Sequence, residues 1–322
     1  MMLADPYELE NADVESETLR EIASLDMLRI AKEDDLKSIC FEDTEGLLVW
    51  YSVRITDKII EKLAKCKVIV SCAVGYNNVD VKSAGEHGIY VSNVPDYCVD
   101  EVSDHTIGLV IALNRDIAGL DRKIREGIWE LEIAWPVKRL RGRTLGILGL
   151  GRIGTATALK AKALGLRIIT CDPYVPPGKE KSIQADAVDF ETLLSQSDIL
   201  SLHVPLTPET RHIINEESLR KMKKTALLIS TCRGAVIDTG ALVRALNEDW
   251  IQGAALDVQE KEPLSKSENP FLDMDNVILT PHSAYYSEES KIEMRRKAAE
   301  EVARVLRGEK PRSPVNLEML RK

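Results

Sequence analysis

Short apolar runs alternate with stretches whose apolar residues recur at helical spacing along most of the chain. In the first third, residues 46–50, 67–71 and 89–92 read as strands, and 57–65 reads as a helix between the first two. Residues 99–126 keep helical spacing over a long segment that leads into an irregular connection over 129–142. Strands are then expected at 145–148, 166–170, 199–203, 226–230, 253–257 and 277–280. Helices are expected at 155–164, 190–195, 216–221, 238–247 and 288–307. This succession predicts an α/β fold with parallel sheets. The six strands from 145 to 280 form one set and the first hundred residues another. The expected arrangement is one domain of residues 99–288 inserted into a smaller one of residues 1–98 and 289–322, to which the last helix returns.

The segment Gly149-Leu150-Gly151-Arg152-Ile153-Gly154 lies between the strand at 145–148 and a helix that closes at Gly165. The next strand ends in Cys171-Asp172, with the acid 18 residues beyond Gly154. Strand, Gly-rich turn, helix, strand and terminal acid together make a dinucleotide-binding unit. Gly149 allows the tight turn, Gly151 the approach of amides to a pyrophosphate, and Gly154 close packing of helix on strand. The helix start, with Arg152 and Ile153, faces the phosphates. Asp172 is placed to accept the adenosine ribose hydroxyls. Pro173, Tyr174, Val175 and Pro176 follow it, so a 2′-phosphate has no cation nearby and NAD is favoured over NADP.

Composition narrows the partners. The net charge of −9 shows no basic stripe and excludes nucleic acid and anionic membranes. The longest apolar run, 107–113, cannot span a bilayer, and the acidic residues 1–15 do not form a signal peptide. Six scattered cysteines without a CxxC pair suggest reduced thiols in a cytoplasmic protein and no metal site.

Five histidines are the acid/base candidates: His87, His105, His203, His212 and His282. His87 sits in a turn and His105 in the long helix, where packing is the default. His203 and His212 flank a loop that could line the cofactor. His282 follows Thr280-Pro281 at the carboxyl end of the last strand, where open α/β sheets bind ligands. Thr231-Cys232-Arg233-Gly234 brings a cation to the same rim, and Asp257, Glu260 and Glu262 bring carboxylates. Arginine, glutamate and histidine at neighbouring strand ends suit hydride transfer at an oxygen-bearing carbon beside a carboxylate. The arginine clamps the acid, the histidine moves the hydroxyl proton, and the glutamate holds the imidazole.

From residue 46 onward the chain resembles the D-isomer-specific 2-hydroxyacid dehydrogenases. The resemblance lies in the Gly-rich turn, TCRGAVID at 231–238, ALDVQEKEP at 255–263 and TPHSA at 280–284. Within the family it is most similar to the C-terminal-binding-protein branch, through 79–95 and 285–301. The resemblance implies two doubly wound parallel-sheet domains, a Rossmann NAD domain inserted into a smaller flavodoxin-like substrate domain. It implies Arg233 as substrate clamp, His282 as proton donor to a keto oxygen and Glu262 as its partner, with Glu260 a solvated neighbour. Val204, Pro205, Thr210, Thr231, Cys232 and Asp257 would lie along the cofactor, Asp257 at the nicotinamide carboxamide. Val74 and Gly75 would offer amides to the substrate carboxylate, with Trp50, Tyr51 and Tyr285 lining the pocket. Relatives acting on 3-phosphoglycerate carry arginines where this chain has Trp50 and Ser71, so a small unphosphorylated 2-ketoacid or 2-hydroxyacid is expected. The alternatives are an NAD(H)-responsive interaction protein like the corepressor branch and a phosphoglycerate dehydrogenase-like enzyme. The apolar stripe of Val102, Ile107, Val110, Ile111, Leu113, Ile117 and Leu120 suggests a homodimer, as the family forms through this segment.

Overall fold

Most of the short apolar runs become strands of two wholly parallel sheets in a computed structural model, which describes residues 1–5, 9–30, 33–36, 38–130 and 136–320. The chain divides into two compact units, Met1–Cys98 with Ser287–Lys322, and Val99–Tyr286.

The first unit holds β1 (Met2–Asp5), β2 (Asp26–Arg29), β3 (Gly46–Val49), β4 (Val68–Ser71) and β5 (Tyr90–Asn93) in the order β2-β1-β3-β4-β5. This is the flavodoxin-like order. Strands β3 and β4 are buried at every position, as expected of a parallel sheet covered on both faces. The helix Glu288–Leu306 packs on β3 and β4, and the chain beyond it is sewn to β5. There the Asn316 side chain accepts from the Val91 amide and donates to the Ile89 carbonyl, each at 2.9 Å. Sequence reading missed β1 and β2. Both are short and carry charged residues, and β2 is an edge strand with no fully buried position.

The second unit holds β6 (Thr144–Leu148), β7 (Arg167–Cys171), β8 (Asp186–Ala187), β9 (Ile199–Leu202), β10 (Leu227–Ser230), β11 (Gly253–Leu256) and β12 (Val277–Leu279). Their order is β12-β11-β10-β9-β6-β7-β8, a Rossmann sheet with a seventh strand added beyond the usual six. The expected set of six lacks β8, whose two residues are both exposed and leave no hydrophobic signal.

The single helix expected over 99–126 is two helices, Val99–Asn114 and Ile117–Arg125. Asp116 breaks it by taking a left-handed conformation, φ 53°. The first helix buries Val102, Leu109, Val110 and Leu113, whereas the second buries nothing. The irregular connection expected over 129–142 lies at 131–135 outside the described residues. No helix among the described residues is long and apolar enough to cross a membrane.

Candidate active site

Because all strands of the second unit run parallel, their carboxyl ends share one edge of the sheet. Gly149 follows β6, Asp172 β7, His203 β9, Arg233 β10, Asp257 β11 and His282 β12. The Gly-rich turn opens this edge. Gly149 has φ 94°, and a side chain there would press on the His203 carbonyl oxygen at 2.7 Å. A Cβ on Gly154 would collide with the Gly149 carbonyl oxygen, whereas one on Gly151 would meet nothing within 4 Å. No side chain caps the helix Arg152–Ala163 that follows. Its first amides therefore remain available, with the positive end of the helix dipole, to a phosphate approaching past Gly151. The turn fits a dinucleotide.

Asp172 secures the turn from the next strand. One carboxylate oxygen accepts from the Leu150 amide at 2.7 Å and the other from the Tyr174 amide at 2.9 Å. Sequence reading saw no cation in the four residues after Asp172. The structure brings one from farther along: Lys179 Nζ donates to the Leu150 carbonyl at 2.6 Å. The Leu150 backbone is thus held at its amide by a carboxylate and at its carbonyl by an ammonium group. Tyr174 also hydrogen-bonds Glu209, beside Thr210. Thr210 in turn donates to the Pro205 carbonyl at 2.6 Å, closing the loop that carries Val204 and Pro205.

The acid/base group is built on the loops after β11 and β12. His282 Nδ1 lies 2.6 Å from Glu262 Oε2, with the two side chains 23% and 32% exposed. The carboxylate can only accept, so Nδ1 carries the hydrogen and Nε2 is the ring nitrogen on the far side from Glu262. The other Glu262 oxygen accepts from the Gln259 amide at 2.6 Å. The Tyr285 ring stands edge-on to the imidazole, 6.3 Å between centroids. His282 takes φ 52°, a left-handed conformation that persists in a non-glycine residue only when its surroundings impose it. They do so through Asp257, which is 1% exposed. Its carboxylate accepts from the Thr280 hydroxyl at 2.6 Å and the Ser283 and Ala284 amides at 2.9 and 3.0 Å, while its carbonyl accepts from the His282 amide at 2.8 Å. Asp257, expected at a carboxamide, is observed as the anchor of the 280–284 turn.

Arg233 emerges from β10, and its Nη1 donates to the Cys232 carbonyl at 2.6 Å. Gly234 explains why the motif continues with glycine: a Cβ there would collide with the backbone of Gln259 and Glu260. Thr231 is tied by its hydroxyl to Thr106 at 3.1 Å. Burial pushes the Cys232 and Cys171 thiols up, which keeps them protonated. None of the six cysteines is in a disulfide.

The other histidines sort themselves by environment. Burial lowers the His203 pKa to about 4, and its Nε2 is 2.9 Å from Ser201 Oγ. His105 Nε2 lies 3.1 Å from Thr280 Oγ1 and packs beside Asp257. His87 is exposed at a helix end. Glu260, expected to be a solvated neighbour, is instead paired: its Oε1 is 2.7 Å from His212 Nε2 and its Oε2 accepts from Thr239 at 3.0 Å. Desolvation alone would raise its pKa, but those partners hold it below the ordinary carboxylate value.

In the first unit, the Val74 carbonyl accepts from Asn93 and the Gly75 carbonyl from Ser71 Oγ, at 2.5 and 2.9 Å. These bonds fix the orientation of the turn. Trp50 does not behave as the expected pocket wall. It is 1% exposed, and its indole N–H finds no acceptor among the described residues. Tyr51 beside it is half-buried. No cluster of three or more His, Cys, Asp or Glu residues is placed to hold a metal among the described residues.

The family model for the NAD-binding domain of D-isomer specific 2-hydroxyacid dehydrogenases matches residues 107–284. A glyoxylate reductase of Korarchaeum cryptofilum (strain OPF8) is 42% identical over 285 residues, which are 87% of this chain and 85% of the relative. Among solved structures, a glyoxylate reductase from Paecilomyes thermophila superposes with a TM-score of 0.89 at 30% identity, covering 99% of each chain. D-lactate dehydrogenase from Aquifex aeolicus, complexed with NAD and lactic acid, gives a TM-score of 0.85 at 29% identity, covering 99% of this chain and 97% of that one.

Proposed function

The chain belongs to the D-isomer-specific 2-hydroxyacid dehydrogenase family, and from that premise we propose that this NAD-dependent enzyme reduces small 2-ketoacids, glyoxylate first among them. The observation that carries the reading is the 2.6 Å contact between His282 and Glu262 at the rim where the Gly-rich turn opens. It fixes the imidazole so that Nε2 is the nitrogen suited to exchange a proton with the oxygen of a carbonyl or hydroxyl. NAD, when bound, accepts or supplies the hydride.

In reduction, His282 donates the Nε2 proton to the carbonyl oxygen as negative charge builds there. Glu262 keeps the tautomer fixed and stabilises the imidazolium from which the proton leaves. In oxidation the same nitrogen takes the hydroxyl proton. Arg233 has one guanidinium nitrogen committed to the Cys232 carbonyl, and its remaining N–H groups suit bidentate capture of the substrate carboxylate. Asp172 suits the ribose hydroxyls of NAD. In the first unit, Val74 and Gly75 present amides suited to a carboxylate.

Glyoxylate is favoured by the 42% identity to a glyoxylate reductase over most of both chains. The absence of arginines at Trp50 and Ser71 disfavours a phosphorylated substrate. We also propose a homodimer, because Ile117 and Ile124 are 52% and 49% exposed on a helix that buries nothing within the chain. Six cysteines outside any disulfide fit a reducing, cytoplasmic setting. The reading is tested by NADH oxidation against a panel of 2-ketoacids, with 3-phosphoglycerate oxidation as the contrasting reaction. Turnover of glyoxylate or pyruvate supports it, and activity confined to 3-phosphoglycerate overturns it.

A further inference from the structure

We propose that His212 and Glu260 form a second imidazole–carboxylate pair whose task is to position Glu262 against His282; this inference rests on the function proposed above. Glu260 and Glu262 are alternate residues of one short loop and reach to opposite sides of it. Glu262 meets His282, while Glu260 meets His212 Nε2 at 2.7 Å, the Thr239 hydroxyl at 3.0 Å and the Arg211 guanidinium at 3.7 Å. Two separate segments, the loop after β9 and the start of the helix Thr239–Asn247, therefore grip the carboxylate that the loop after β11 carries.

His212 is itself held in an imposed conformation. Its φ is 52°, the same left-handed value as His282. Its amide donates to the Ala235 carbonyl at 2.9 Å, and its carbonyl accepts from the Asn215 side chain at 3.1 Å. Such a conformation costs about 1–3 kcal/mol and survives only where several contacts fix it. An exposed side chain that merely found a nearby carboxylate would need none of this.

The route from Glu260 to the acid/base pair is short. Gln259, bonded to Glu260, donates its amide to Glu262 at 2.6 Å, and Glu262 accepts from His282 at 2.6 Å. Gly234, bonded to Arg233, lies against the Gln259–Glu260 peptide, next along the chain from the donating amide, so closely that a Cβ has no room. A shift of Glu260 therefore turns the Gln259 amide, rotates the Glu262 carboxylate and releases Arg233 on the other side. Misplacement of a catalytic group by about 1 Å can cost roughly 10²-fold in rate. His212 and Glu260 touch no reacting atom in this scheme; they are positioning residues.

The test compares Glu260→Ala and His212→Ala with His212→Gln, whose amide can reach the place of Nε2. The readouts are thermal unfolding, steady-state kinetics with glyoxylate, and the imidazole 15N and Nδ1–H resonances of His282 in the full-length protein without substrate. Glu260→Ala and His212→Ala should lower kcat by about 10- to 100-fold and weaken or shift the His282 Nδ1–H resonance. His212→Gln should stay within about threefold of wild type in both. The proposal is overturned if the alanine variants leave the His282 resonances unchanged, whether activity is kept or is lost together with thermal stability. Should the wild-type protein reduce no 2-ketoacid, the functional reading fails, and the resonances still decide whether Glu260 positions Glu262.

Discussion

Replacing Gly151 by alanine should separate cofactor binding from folding at the Gly-rich turn. Gly151 has φ −72° and ψ −161°, a conformation alanine adopts without strain, and a Cβ there meets nothing within 4 Å. Stiffening the unfolded chain gains about 0.4–1 kcal/mol. Placing alanine at a helix N-cap loses about 0.5–1 kcal/mol. The two nearly cancel, so the thermal midpoint should move by no more than about 2 °C. The added methyl nevertheless stands where a pyrophosphate approaches the amides of the helix Arg152–Ala163. Losing one charge-assisted hydrogen bond worth about 1.5–3 kcal/mol weakens binding by about 10- to 150-fold. Gly154→Ala should behave in the opposite sense, because its methyl collides with the Gly149 carbonyl oxygen and lies 3.3 Å from Ile147 Cγ2. That overpacking should destabilise the protein by about 1–3 kcal/mol. Thermal unfolding and titration of NADH fluorescence measure both quantities on each variant. The reasoning is refuted if Gly151→Ala binds NADH within twofold of wild type, or if Gly154→Ala unfolds no earlier than Gly151→Ala.

Four further outcomes are expected. Asp172→Ala should narrow the preference for NADH over NADPH at least about tenfold by removing the carboxylate that repels a 2′-phosphate, with Lys179 close by as a cation; unchanged ratios of binding constants would contradict this. Arg295→Met leaves Glu15, 1% exposed, without the ion partner it holds at 2.6 Å, and should cost about 3–5 kcal/mol in denaturant unfolding. Burial pushes the His203 pKa down to about 4 in the folded protein from an ordinary value near 6.5, so the unfolded state binds the extra proton and stability should fall as pH drops from 6.5 towards 4. His203 is only partly buried, so about 2 kcal/mol is expected, and His203→Gln should flatten that part of the stability profile. Ile117→Glu with Ile124→Glu should shift the protein from dimer to monomer in sedimentation at micromolar concentration, and a wild-type monomer would dismiss the dimer.

The second unit was the more legible part of the sequence because its strands are buried on both faces and read as unbroken apolar runs. The Gly-rich turn was legible for a related reason, since Gly149 and Gly154 are demanded by backbone contacts that any such turn must make. Strands β2 and β8 were not legible because they are edge strands with no fully buried position, and β1 because its apolar run is short and ends at a charged residue. The break at Asp116 was hidden because apolar spacing continues across it. At the site, Arg233 and His282 could be read from their places after successive strands, whereas Glu262 was told from Glu260 only by the family resemblance. The roles of Glu260 and Trp50 could not be read, because pairing with His212 and burial in the first unit depend on folding. Lys179 escaped for the same reason: it lies far along the chain from the turn it contacts.

The central claim, that His282 backed by Glu262 transfers the proton in an NAD-dependent 2-ketoacid reduction, is tested most directly by His282→Ala. The measurement is pre-steady-state and steady-state NADH oxidation with glyoxylate, beside NADH affinity from fluorescence. The variant should lose about 10²- to 10⁴-fold in turnover while binding NADH within about threefold of wild type. Turnover within tenfold of wild type, at saturating glyoxylate and NADH, would contradict the account.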